Sequence, residues 1–125
     1  MSSSKTIVKN RQVITSGSMT GVAVINGAII DCTSAGLCSF LISWTGTPNG
    51  TFTIDIPATI DYLGVPATWA TLPVTNASGT ALTATGAAGT HQVAVSDLSF
   101  THIRVSYTNS SSTGTLNAWA TVKGD

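Results

Sequence analysis

Glutamate is absent from these 125 residues, and charged side chains of every kind make up 8% of them. Five Lys or Arg balance five Asp, giving a formal charge of zero and a pI near 6.7. That balance excludes the basic face with which proteins hold nucleic acid or an anionic membrane surface, so neither is expected as a partner. Lys, Gln and Met are few, while Thr, Ser, Val and Ile abound, which disfavours a helical protein and favours strands. The longest apolar run, Gly21 to Ile30, is interrupted by Asn26 and Gly27 and is far too short to span a membrane as a helix. The opening residues MSSSKTIVKNRQV carry no apolar core of the kind a signal peptide needs. Synthesis and retention in the cytosol are therefore expected until another component moves the protein.

Chemistry-bearing patterns are equally sparse. The five carboxylates, Asp31, Asp55, Asp61, Asp97 and Asp125, are isolated in sequence and read as turn-forming Asp. A calcium site from Asp55 and Asp61 lacks the ligand spacing of a calcium loop. His91 and His102 have no Cys or His at metal-ligand spacing, and Cys32 and Cys38 alone fall short of a zinc set. There is no GxSxG elbow and no GxxxxGK or GxGxxG phosphate cradle. No catalytic residue, cofactor or metal is expected, and the reading is that of a protein that is not an enzyme.

What is present is alternation. Phe100 to Lys123 reads as two long strands joined by a polar loop, with Ile103, Val105 and Tyr107, then Leu116, Ala118, Ala120 and Val122, on the apolar faces. Ser39 to Thr45 and Thr51 to Ile56 read as a second hairpin around the turn Gly46–Gly50, with Pro48 supplying a fixed φ and Asn49-Gly50 a positive one. Val22 to Ile30 reads either as one strand with a Gly bulge or as a hairpin turning at Asn26-Gly27. Pro57 to Pro66 reads as a loop over one end, Thr68 to Leu72 as a short strand, Pro73 to Thr90 as a contact or mobile loop, and His91 to Val95 as a strand. The sum is about eight strands without significant helix: an all-β, antiparallel, jelly-roll-like β-sandwich.

Residues 1–15 form a separate unit in this reading, an N-terminal arm or bulged edge strand, and residues 16–125 form the sandwich. Ile7, Val8, Val13 and Ile14 are the arm residues able to dock on a neighbouring subunit, leaving a sandwich that folds without them. Trp44 and Trp69 read as core, whereas Trp119 falls opposite Leu116 and Ala118 and reads as a subunit or ligand contact. Tyr62 is the second ligand-contact candidate. Cys32 and Cys38 flank a short loop that a disulfide could staple, but without an export signal two thiols are expected. A mean hydropathy of +0.32 with so little charge fits either a Thr-, Ser- and Asn-tiled surface or one covered in an assembly.

The segments SWTGTPNGTFTI, TWATL and FTHIRVSYTNSSSTGTLNAWATVKGD, in this order, resemble a family of small β-sandwich proteins of bacteriophages and prophages. The resemblance covers roughly the last two thirds of the chain. It departs between Ile54 and Trp69, where DIPATIDYLGVPAT stands in place of a short Ser-x-Asp-Gly turn. The resemblance implies a virion structural protein, such as a capsid decoration, fibre, spike or tail component. Its implied partners are itself, as a homo-oligomer, and other virion proteins. A carbohydrate-binding module using Trp119 and Tyr62 on a glycan is the alternative expectation.

Overall fold

The alternating segments form strands, ten among the described residues, and these sort into two antiparallel sheets. The computed structural model describes residues 8–20, 24–32, 35–72, 83–85, 88–96, 101–109 and 113–124. The first sheet has four strands in the order β1 (Val8–Ser18), β10 (Thr115–Gly124), β4 (Ala35–Trp44) and β8 (Gly89–Ser96). The second runs β2 (Val24–Asn26), β9 (His102–Asn109), β5 (Asn49–Ile60) and β6 (Pro66–Leu72). To these, β3 (Ile30–Asp31) adds beside β9 and β7 (Thr83–Thr85) beside β5. No helix occurs among the described residues. The fold is the antiparallel β-sandwich that composition and alternation predict.

Phe40, Ile42, Trp44, Leu116, Ala118 and Ala120 of the four-stranded sheet face Phe52, Ile54, Ile103, Val105 and Tyr107 of the other, and all are buried. Trp44 bridges the two layers with its ring centroid 5.4 Å from that of Phe52, which in turn lies 4.8 Å from Tyr107. Two polar groups drawn deep into this core are paired: the Tyr107 hydroxyl donates to Asn109 Oδ1 at 3.0 Å, and Asn109 Nδ2 donates to the Met19 carbonyl at 2.6 Å.

Both expected hairpins are absent as hairpins. β4 pairs with β10 and β8, whereas β5 pairs with β9, β6 and β7, so residues 45–48 carry the chain from one sheet to the other. β9 and β10 likewise lie in opposite sheets. The reason is burial: the apolar faces of β4 and β5 cover each other when the strands face across the sandwich, whereas a hairpin would lay both on one uncovered surface. The two crossings run side by side. Thr45 N and Thr47 N donate to the carbonyls of Thr115 and Thr113, and the hydroxyls of Thr47 and Thr113 are 2.9 Å apart. The positive φ falls on Gly46 (88°) and Gly114 (135°), not on Asn49 or Gly50. Asn49 and Gly50 begin β5 instead, and Gly50 lies under the Tyr107 ring, where an added Cβ would come within 2.4 Å of Cζ.

Two further readings are decided by the pairing. Asn26-Gly27 makes no hairpin: neither residue has the positive φ of that turn, and β2 and β3 both pair with β9 along one edge, interrupted at Gly27. Gly27 is required because an added Cβ would sit 2.8 Å from the Val105 carbonyl. Pro57 to Ile60 is not loop but the end of β5, paired to β6, with the turn confined to residues 61–65. Pro57 is tolerated because β5 carries register shifts on either side of Thr59.

The N-terminal segment is the edge strand rather than a detached arm. β1 runs from Val8 through Ser18, crosses residue 15 without a break, and shifts register between Gln12 and Ile14 and again before Gly17. Val13 and Ile14 are buried in this chain's own core, so truncation to residue 16 removes core as well as a strand. Ile7 and the side chain of Val8 lie outside the described residues, as do residues 73–82 of the expected contact loop and Asp97.

Gly114→Ala is expected to destabilise the fold by about 3 kcal/mol, because the Cβ would meet the Thr45 carbonyl at 2.0 Å in a left-handed backbone. Gly64→Ala, with φ +81° and nothing within 4 Å, should cost only about 1 kcal/mol. Urea unfolding of both variants checks the difference; equal losses would remove the corner from its place in the fold.

Candidate functional site

The surface features follow from the outward residues of each strand. On the four-stranded sheet, register aligns Gln12, Trp119, Leu41 and Gln92 in one row across all four strands. Opposed residues in antiparallel strands share a face, and Leu41 is 43% exposed, so this row lies outward. The adjacent outward rows are Asn117, Ser43 and Thr90 on one side and Asn10, Thr121, Ser39 and Ala94 on the other. None of these side chains is charged. Gln12 Nε2 donates to Asn117 Oδ1 at 3.1 Å and to the Ile14 carbonyl, while the Ser16 amide donates to the same Asn117 oxygen at 2.8 Å. These bonds tie the bulged part of β1, where Ser16 has φ 48°, to Asn117 of β10.

The second feature is the turn between β5 and β6. Tyr62 is 95% exposed, Leu63 70%, Val65 50% and Ile60 44%. Such a concentration of apolar side chains in water is a docking signal only if the segment holds a shape, and here it does. Asp61 Oδ1 accepts from the amides of Leu63 (2.8 Å) and Val65 (3.0 Å), and its backbone exchanges hydrogen bonds with Gly64 and Val65. Asp61 is thus the turn-former expected of it. The turn is pre-organised, so little conformational entropy remains to be lost on docking.

The third feature lies on the outer face of the six-stranded sheet. Asp55 is mid-strand and buried rather than at a turn. Its carboxylate accepts from Arg104 Nε at 3.2 Å, Ser106 Oγ at 2.8 Å and Thr53 Oγ1 at 3.1 Å. The Arg104 guanidinium lies 4.2 Å from the centre of the Trp69 ring, which covers the pair from β6. Trp69 is therefore a lid on an ion pair and not the core plug expected of it. Both acceptor oxygens of Asp55 are occupied by these donors, and among the described residues no group of three His, Cys, Asp or Glu is placed to hold a metal ion.

The remaining singled-out residues separate. Trp119 stands on the four-stranded sheet and Tyr62 on a turn of the six-stranded one, so the two ligand-contact candidates do not share a strand, a sheet or a turn. His91 closes one side of the sandwich: its ring packs on Trp44 and Phe52, and Nε2 lies 2.7 Å from the Thr83 carbonyl of the opposite sheet. A carbonyl only accepts, so Nε2 carries the proton. Arg11 and Ala28 tie the other side, through Arg11 Nη1 to the Ile29 carbonyl and Ala28 N to the Val13 carbonyl. His102 contacts Thr101 Oγ1 at 2.8 Å.

A fold likeness to known structures accompanies this geometry. The SPBc2 prophage-derived protein YomS superposes over 98% of this chain and 100% of its own, at 14% identity and a TM-score of 0.50. That likeness shows a shared fold. Dimeric latent PorU from Porphyromonas gingivalis matches 96% of this chain over 13% of its own, at 9% identity and a TM-score of 0.47. No family model matches the sequence, and no curated protein matches it. No helix among the described residues is long and apolar enough to cross a membrane.

Leu41, Leu63 and Val65 escape a reading that searches for aromatics. Leu41 was nevertheless detectable, being the apolar residue at an outward position between Phe40 and Ile42.

Two outcomes test this surface. Arg104→Ala should cost about 3 kcal/mol, since it leaves the Asp55 carboxylate buried without its cation, and should change the fluorescence of Trp69. Full stability retained in urea unfolding would mean that water replaces the guanidinium. Cys32 and Cys38 are both buried thiols. Burial raises the Cys32 thiol from 9.0 to about 11 and the Cys38 thiol to about 12, with a smaller contribution from Asp31 and from Cys32 respectively. Their contribution to stability is therefore present below pH 9.0 and is lost as the pH climbs through 11. At pH 8 neither should react with an aromatic disulfide reagent until denaturant is added; rapid labelling of the native protein would contradict their burial.

Proposed function

We propose that this chain is a non-enzymatic structural protein of a bacteriophage virion, made in the host cytoplasm and incorporated by docking on itself and on other virion proteins. The pre-organised apolar turn at residues 60–65 carries this reading. A turn held in shape by Asp61 and presenting Ile60, Tyr62, Leu63 and Val65 to water would bury those side chains by entering a partner's groove. The shared fold with prophage-derived YomS supports the phage setting, as does the ordered set of motifs from Ser43 to Asp125. The low share of charged residues, 8%, supports assembly, because interface centres are depleted in charge. A role on the capsid or tail, as decoration, fibre or spike, is consistent with a small sandwich having one projecting apolar turn. Nucleic acid and membrane are not among the proposed partners.

A carbohydrate-binding module is the second reading. It is favoured by Trp119 lying on a flat face beside the amides of Gln12 and Asn117, groups suited to stacking and hydrogen bonding with a sugar ring.

The double variant Tyr62→Ser/Leu63→Ser should fold with an unchanged thermal midpoint and fail to enter particles when it replaces the wild-type chain in a producing phage lysate. Incorporation at wild-type levels would remove the turn from the assembly reading. Loss of glycan binding on a Trp119→Ala variant, with incorporation intact, would favour the second.

A further inference from the structure

The outer face of the six-stranded sheet holds hydrogen-bond donors that its ion pair does not use. Alternation turns His102, Arg104 and Ser106 outward along β9, because Ile103 and Val105 between them are buried on the other side. Asp55 stands opposite both Arg104 and Thr71, and Trp69 stands opposite Pro57 while its ring lies over Arg104. His102 is one step from Arg104 on the same face, towards Pro57. We infer that Arg104, His102 and Trp69 form a binding site for the carboxylate of an acidic sugar, of which a hexuronic acid is the simplest. This goes beyond the assembly reading and uses neither the 60–65 turn nor Trp119.

The unused donors point to a ligand. A guanidinium carries five N–H groups. Arg104 Nε donates to Asp55 Oδ2 at 3.2 Å, and among the described residues no acceptor meets Nη1 or Nη2. Yet the side chain is only 18% exposed. His102 likewise uses Nδ1 on Thr101 Oγ1 and leaves Nε2 without a partner among the described residues. Donors drawn this far out of water cost free energy unless an acceptor reaches them, and an ion pair so covered adds little stability by itself. Arg104–Asp55 is moreover the one salt bridge among the described residues of a chain in which 8% of residues are charged.

The guanidinium is also held in place. Asp55 is fixed by Ser106 Oγ at 2.8 Å and Thr53 Oγ1 at 3.1 Å, and the Trp69 ring centre lies 4.2 Å from Arg104 Cζ. With Nε engaged and one face covered by the ring, the in-plane edge bearing Nη1 and Nη2 is what remains for a ligand. That edge matches the two oxygens of a carboxylate, and its order leaves little entropy to lose. Charge selects a monoanion: Asp55 beside Arg104 and Asp31 opposite His102 repel the second charge of a phosphate. A sugar fits better than a peptide. Trp69 is half-buried, so part of its ring remains to pack on the C–H face of a pyranose. The outward neighbours Thr53, Thr71 and Ser106 offer hydroxyls and no pocket for an apolar side chain.

Titration of the full chain, labelled with nitrogen-15, with sodium glucuronate up to tens of millimolar tests the inference. Saturable shifts should appear at the Arg104 Nε–H, the Trp69 indole N–H and the His102 amide. Arg104→Lys keeps a cation beside Asp55 but loses the planar edge, and should weaken binding at least about fivefold. His102→Ala, at a half-buried outward position, should weaken it measurably with the fold intact, and glucose should bind at least tenfold more weakly than glucuronate. Absence of saturable shifts overturns the inference, as does binding that neither variant changes. An acetylated tripeptide whose C-terminal carboxylate binds as tightly as glucuronate overturns the assignment to a sugar. Binding lost in Trp119→Ala and retained in Arg104→Lys overturns the site and moves the sugar to the other sheet. Arg104→Lys should enter particles as wild type does, so a failure here leaves docking through the turn standing.

Discussion

Everything in this fold depends on a corner. The β4–β10 ladder does not end at the edge of its sheet; it narrows to the Thr47–Thr113 bridge and reopens as the β5–β9 ladder of the other sheet. A two-stranded ribbon is thus bent through the sandwich, and the bend is possible because Gly46 and Gly114 meet there with positive φ and no side chain. An added Cβ on Gly46 would lie 2.5 Å from the Gly114 Cα, so the two backbones touch at a distance that only paired glycines allow.

The corner determines what the two sheets can do elsewhere. Because β4, β5, β9 and β10 are the central strands, their inward residues form the core while their outward residues form the middle of each face. The edges are closed by other means: backbone bonds and Arg11 on the β1 side, and the His91 ring on the β8 side. Among the described residues, the face around Leu41 and the turn beyond Ile60 carry exposed apolar side chains. The middle rows of the first face carry no charge, while the other face carries a covered ion pair at Asp55 and Arg104.

How far the surface was legible depends on the range of the interaction involved. Trp119 was identifiable as outward because alternation is local: each strand residue faces opposite to the next, whatever it pairs with. Asp61 was identifiable as a turn-former for the same reason, its bonds reaching only to Leu63 and Val65. Asp55 was not, since its partners are Arg104 and Ser106, on a strand distant in sequence. For residues 1–15 the irregular spacing of Val13 and Ile14 left an arm and a bulged edge strand both open, and the position of the bulge is fixed only against the partner strand β10.

The sequence by itself determined that this is an all-β protein and, for the long alternating segments around Phe40, Phe52, Val105 and Ala118, which residues face inward, because these rest on composition and a two-residue period; it missed β7 and the end of β5. Tertiary structure alone decided which strands pair. The turn residues at 46–50 and 110–114 are as compatible with a hairpin as with a crossing, and the choice between them is made by where two apolar faces can bury each other. Register followed from that choice, and with it the row that sets Trp119 beside Leu41.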